Sequence, residues 1–204
     1  MAKHQFELAG DAEHYPISIE VFGFLKGASL SPIEVAKLLQ LLPSHNISGL
    51  RKIVYKRALS KPLNRWFSRT SKARLSGLYS PADHQITLYG GSTREGLAHT
   101  LFHEVAHHVY FRVLDSSEKK RWVTVVYPSE KAVSIYGKRN AAEDFAEAYA
   151  TFVMNPGRLQ QFNFKYRFLL ERIFLNTQID QHQLERIMDG SCASLTDGTL
   201  NLRI

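Results

Sequence analysis

Apolar and basic residues alternate through GLRKIVYKR (residues 49–57), the period-two pattern of a strand. In SPIEVAKLLQLLP (31–43) the apolar positions recur every three to four residues, which predicts an amphipathic helix. Ser31 is its N-cap, Pro32 suits its first turn, Glu34 completes a capping-box spacing and Pro43 stops it. LSGLYSPADHQITLYGG (75–91) reads as two short strands around the turn SPADH, a hairpin closed by Gly90 and Gly91. In its second strand Ile86 and Leu88 share one face, Thr87 and Tyr89 the other. A helix follows to about Leu114, with Ser92 and Glu95 in capping-box spacing. SSEKKRW (116–122) reads as helical, then comes the irregular YPSEKAVSIYGKRN. AAEDFAEAYATFVM (141–154) is a further helix, ending near NPG. YRFLLERIFL and QHQLERIMDG add helical pieces. Strands first and helices later predict an α+β domain. We read residues 1–30 as an N-terminal extension, 31–190 as the domain proper and 191–204 as a tail.

Composition changes this picture little. A chain of 204 residues, 44% of them hydrophobic and 22% charged, can bury one sizeable core. It has no apolar run long enough to cross a bilayer. MAKHQFELAGDAEHYPISIE mixes charges early and lacks an apolar signal region, so a cytoplasmic location is expected, although signal-independent export would leave no mark. Cys192 is the single cysteine, which excludes an intrachain disulfide and a cysteine-rich metal knuckle. The net charge of +7 is uneven, with no acidic residue between Glu34 and Asp83. Basic residues from Arg51 to Arg74, interleaved with Tyr55, Trp66 and Phe67, suit either an anionic partner or a solvated face.

The chemistry concentrates in AHTLFHEVAHHVYF (98–111). His103-Glu104-Val105-Ala106-His107 is an HExxH pattern, and residues four apart on a helix stack on one face. His103 and His107 can thus offer two imidazole nitrogens to one Zn²⁺. Glu104 follows by about 100° of helix turn, where its carboxylate stands beside such an ion and can take a proton from water. Phe102, Val105 and Val109 point toward a core. His99 is one turn earlier but lacks a following acid, and His108 faces elsewhere. Catalytic zinc takes three protein ligands. Glu143 and Glu147, again four apart, are the downstream candidates, with Ala146 and Ala150 leaving room for a close neighbouring helix.

Tyr136, Gly137, Asn140, Glu143, Phe145, Ala146 and Glu147 form a Y…E-x-F-A-E register. With HExxH, this resembles the zinc peptidase domain of anthrax lethal factor and its relatives, which include bacterial proline-proline endopeptidases. These are gluzincins. The resemblance covers both motifs and, more loosely, residues 84–176. It implies a zincin-like fold with a small N-terminal sheet, an HExxH helix and a helical C-terminal lobe. It implies that His103, His107 and Glu143 hold zinc, that Glu104 is the general base, and that Tyr136 donates to the oxyanion. Its loop, with Gly137 beside it, would let the ring swing in. Glu147 would steady a ligand histidine through its other ring nitrogen. The strand HQITLYGG would be the sheet edge along which a peptide or protein substrate lies, with Thr87 and Tyr89 beside it.

The leading expectation is a zinc-dependent endopeptidase. A basic module that kept a peptidase fold but acts by contact with nucleic acid or protein is the alternative, and a regulatory protease cutting one partner is another.

Overall fold

The computed structural model describes residues 3–8, 17–24, 28–56, 76–90, 93–191 and 200–203. Alternating apolar residues build the sheet. Its strands are β1 (Lys3–Leu8), β2 (Ile17–Phe22), β3 (Lys52–Lys56), β4 (Gly77–Ser80), β5 (Gln85–Tyr89) and β6 (Leu200–Arg203). Their spatial order is β4-β5-β3-β2-β1-β6. The pairs β2–β3 and β3–β5 are parallel, and the other pairs are antiparallel. The sheet therefore takes in strands from the stretches read as extension and tail.

The expected hairpin forms, with Leu78 opposite Thr87 and Tyr79 opposite Ile86. One expectation is corrected. The strand of HQITLYGG, β5, is interior, flanked by β3 and β4. Among the described residues the edge near the HExxH helix is β4. Strand order depends on which segments return to the sheet, and the alternation within one segment carries no record of that.

The helices are α1 (Pro32–Gln40), α2 (Ser44–Ile47), α3 (Arg94–His108), α4 (Ser116–Arg121), α5 (Tyr127–Ser129), α6 (Ala141–Met154), α7 (Pro156–Leu159), α8 (Asn163–Phe168) and α9 (Gln181–Met188). Wide turns continue α3, α4 and α8 over Val109–Val113, Trp122–Val126 and Leu169–Ile173. Among the described residues no helix is long and apolar enough to cross a membrane.

α1 starts as its sequence predicts, with the Ser31–Glu34 capping box formed in both directions. Glu34 has a second role. It pairs with Arg94, the first residue of α3, which also donates to the carbonyls of Ser29 and Ile187 at 2.9 and 2.7 Å. The start of α3 is thereby tied to α1 and α9. The α3 cap is Thr93, whose Oγ1 accepts the Gly96 N–H at 3.1 Å; Ser92 lies outside the described residues. So does most of the basic stretch, residues 57–75.

α3 lies between the sheet and α6. Phe102, Val105 and Val109 are fully buried, as are Ala146 and Ala150 on α6. The small alanines let the two helices approach closely. Phe145 packs edge-on against Trp122 at 5.1 Å between centroids, and beside Tyr110 at 5.4 Å. Replacing a buried phenylalanine by alanine costs about 3–5 kcal/mol. Phe145→Ala is expected to destabilise the protein by that amount, read as the change in unfolding free energy from urea titration; a loss below about 1 kcal/mol would mean that the α3–α6 core is not packed as described.

Candidate metal centre

α3 presents His103 and His107 one turn apart, and α6 presents Glu143 across from them. His103 Nε2 lies 3.1 Å from His107 Nε2 and 3.2 Å from Glu143 Oε2. His107 Nε2 lies 3.4 Å from the same oxygen. These three atoms form a nearly equilateral triangle. Four ligands placed tetrahedrally at about 2.0–2.1 Å from zinc stand about 3.3–3.4 Å apart, so the triangle matches one face of such a tetrahedron. Among the described residues this is the group able to hold a metal ion.

The protonation chemistry agrees. His103 Nδ1 bonds Glu147 Oε1 at 2.8 Å. A carboxylate can only accept, so Nδ1 carries the proton and Nε2 turns its lone pair toward the triangle. Glu143 Oε2 finds no hydrogen-bond donor of acceptable geometry, and His107 Nδ1 has no partner either. Buried acceptors crowded together without a donor cost free energy, and a cation among them removes that cost. The donor set of two histidines and one glutamate is that of catalytic zinc sites, which keep a fourth position open.

Without a metal, a proton serves as the cation. Burial opposes charge on His103, but the carboxylates of Glu143 and Glu147 outweigh it and push the imidazole up to about 9. Burial also raises Glu143, but the facing imidazoles of His103 and His107 override it and hold the carboxyl at about 2.

The centre opens into a cleft of about 320 Å³ lined by Gly77, Leu78 and Tyr79 of β4, by His103, Glu104, His107 and Phe111, and by Tyr136, Asn140, Ala142 and Glu143. Glu104 is buried at its floor, 6% exposed. Burial pushes its carboxyl up, against the pull of His107, His103 and the Tyr79 N–H. Tyr136 stands edge-on to His103, 5.6 Å between ring centroids, with the Arg139 guanidinium 4.2 Å from its own ring. Burial first, and then Glu143, raise its hydroxyl, so it is a neutral proton donor at ordinary pH. Asn140 caps α6 by accepting the Ala142 and Glu143 N–H groups, both at 3.0 Å, which fixes the height at which Glu143 leaves the helix.

The residues singled out by spacing and by the family resemblance therefore fall into two groups. His103, Glu104, His107, Tyr136 and Glu143 meet in one cleft, and Glu147 backs it. Thr87 is buried within the sheet, and neither it nor Tyr89 lines the cleft. His99 stays 6.4 Å from His103 between rings and outside the metal group. His108 turns to the other side of α3. Its Nε2 donates to the Ser48 carbonyl at 2.9 Å, leaving Nδ1 to accept the Tyr79 hydroxyl at 2.9 Å. Burial drops it to about 4, so it is neutral.

Spacing did not point to Gly77. A Cβ there would fall 2.6 Å from Glu104 Oε1 and 2.6 Å from Thr100 Cγ2. The glycine is the space in which the Glu104 carboxylate sits. Its only sequence signal is its place one residue before an apolar edge-strand pair.

No family model and no curated protein matches this chain. The gluzincin-like cluster thus stands on its own geometry, within an α+β architecture that carries the HExxH helix between sheet and helical lobe.

Metal must displace the His103 proton. Affinity for a divalent ion is therefore expected to rise about tenfold per pH unit from pH 6.5 toward 9 and to level off above. Competition against a chelator at several pH values reads this, and a flat profile across that window would contradict the assigned proton. By the same linkage, the stabilisation that this proton gives the metal-free fold is whole below about 6.5 and is lost as pH rises through about 9.

Proposed function

We propose that this protein is a zinc-dependent endopeptidase of the gluzincin type, related to the lethal factor-like peptidases. The observation that carries the reading is the triangle of His103 Nε2, His107 Nε2 and Glu143 Oε2 opening into a cleft whose floor is the buried carboxylate of Glu104. When bound, zinc supplies Lewis acidity that makes water a nucleophile near neutral pH and polarises a carbonyl.

The protein's own groups do the rest. Glu104 takes the proton of the attacking water and passes it to the leaving amine. Its raised proton affinity suits both halves of that task, since a base that is too weak keeps water protonated and one that is too strong keeps the proton. Tyr136 donates its hydroxyl hydrogen to the scissile carbonyl oxygen as charge builds there. Glu147 holds His103 in the tautomer that leaves Nε2 free. Among the described residues β4 is the terminal strand of the sheet at this cleft, so an extended peptide adds to it by main-chain hydrogen bonds. The peptide then runs past Leu78 with its scissile bond over Glu104.

The test is cleavage of a diverse peptide library by zinc-loaded protein. Glu104→Gln should abolish measurable turnover while metal content and fold persist, and cleavage at the parent rate would end the assignment. Tyr136→Phe should slow kcat by about 10²-fold, the usual effect of removing one oxyanion donor, with little change in KM. Gly77→Ala should also lower kcat at unchanged metal content, because its new Cβ would occupy the Glu104 position; a parental kcat would show that the carboxylate does not need that space.

A further inference from the structure

Beneath the cleft lies an ion pair that the mechanism above does not use. Lys165 Nζ meets Asp144 Oδ2 at 2.7 Å, and both side chains are 0% exposed. Asp144 directly follows Glu143 on α6, and Lys165 belongs to α8. As a tie between two helices such a pair is poor, because removing two charges from water offsets their attraction. Its polar ends nevertheless do something that apolar side chains cannot. Asp144 Oδ1 accepts the Val133 N–H at 3.0 Å. Lys165 Nζ donates to the Lys131 carbonyl at 2.8 Å. The pair thus grips the backbone at 131 and 133, just ahead of Tyr136.

The far side of Tyr136 is held as well. A Cβ on Gly137 would fall 3.0 Å from Asp144 Oδ1 and 3.2 Å from Asp144 Cα, so the chain passes close enough to α6 there that a side chain would have to push Asp144 aside by a few tenths of an ångström. The Gly137 N–H bonds Ser134 Oγ at 3.0 Å, and the Ser134 side chain in turn bonds Glu147. Glu130 accepts the N–H groups of Phe164 and Lys165 at 3.1 and 3.3 Å, anchoring the start of this segment to α8. Segment 130–137 is therefore fastened along its length, with Asp144 touching it on both sides of Tyr136.

We propose that Asp144 and Lys165 are positioning residues for Tyr136, a buried clamp that fixes where the hydroxyl stands relative to the metal centre. The proposal rests on the reading of Tyr136 as the oxyanion donor. It replaces the expectation of a loop that swings in with one that is set in advance.

Removing one partner strands a buried charge, so the informative variants change both. Asp144→Leu with Lys165→Met keeps the volume and drops the bonds to Val133 and Lys131. Asp144→Asn with Lys165→Met restores an oxygen for the Val133 N–H. In zinc-loaded protein the Leu/Met variant should lose at least tenfold in kcat with KM and zinc content unchanged, and the Asn/Met variant should recover most of that loss. The decisive comparison repeats the Leu/Met change in a Tyr136→Phe background, where it should cost less than twofold. Amide hydrogen exchange over 131–137 should also quicken in the Leu/Met variant, while residues 148–153 of α6 stay protected. An equal kcat loss with and without the tyrosine hydroxyl would overturn the clamp and leave the tyrosine's own role intact. A parental kcat in Tyr136→Phe alone would instead overturn the oxyanion reading, and the proposal with it. Unchanged exchange over 131–137 would overturn the clamp whatever the activity.

Discussion

Two imidazole nitrogens and a carboxylate oxygen facing one another at 3.1–3.4 Å, around room for one cation, are the constraint that organises this molecule. Without a cation, whether metal or proton, the arrangement is unfavourable, because lone pairs repel and burial removes the water that would relieve them. It persists only if the two helices that carry it cannot move apart. The alanines on α6 and the apolar face of α3 ensure that, and the aromatic cluster around Phe145 fills the space beneath. The hydrophobic core thus holds two imidazoles and a carboxylate at a spacing that suits one small cation.

Each supporting element has its own local cause. Thr93 and Arg94 fix where α3 begins, and so which residues lie one and two turns further along. Asn140 fixes the start of α6 and, with it, the exit of Glu143. Glu147 selects the tautomer of His103. Gly77 leaves the cleft floor open to Glu104. None of these interactions is strong alone, since an N-cap contributes about 1 kcal/mol. Together they set the relative positions of side chains from three parts of the chain.

The parts of this arrangement that are local in sequence could be read from it. His103 and His107 are four apart on a helix, and so are Glu143 and Glu147. The Ser31 cap, the hairpin turn and the bounds of α6 also followed from near neighbours. Long-range pairing was harder to read. β5 was expected at an edge on the strength of the family resemblance, yet β4 covers it. Gly77 has no side chain to attract notice, and its role appears only when β4 is laid against α3. Asp144 and Lys165 resemble surface residues of amphipathic helices, and 21 positions of chain separate them. A charge buried by a distant partner cannot be told from a solvated one by periodicity.

The hydroxyl of Tyr79 bonds the imidazole of His108, and that ring bonds the carbonyl of Ser48 beyond α2. One strut therefore joins the rim strand to the helix behind it, through a histidine adjacent to His107. A guest molecule gripping β4 would be gripping a strand bonded directly to the helix that carries both imidazoles. The opposite wall is α6, with Asn140 and Glu143 at its start and the segment before Tyr136 bonded to Asp144. The seam between these two walls, where the carboxylate faces the two rings, is closed by the buried apolar faces of α3 and α6, so the mouth keeps one gape and a loaded ion would meet its ligands already in place.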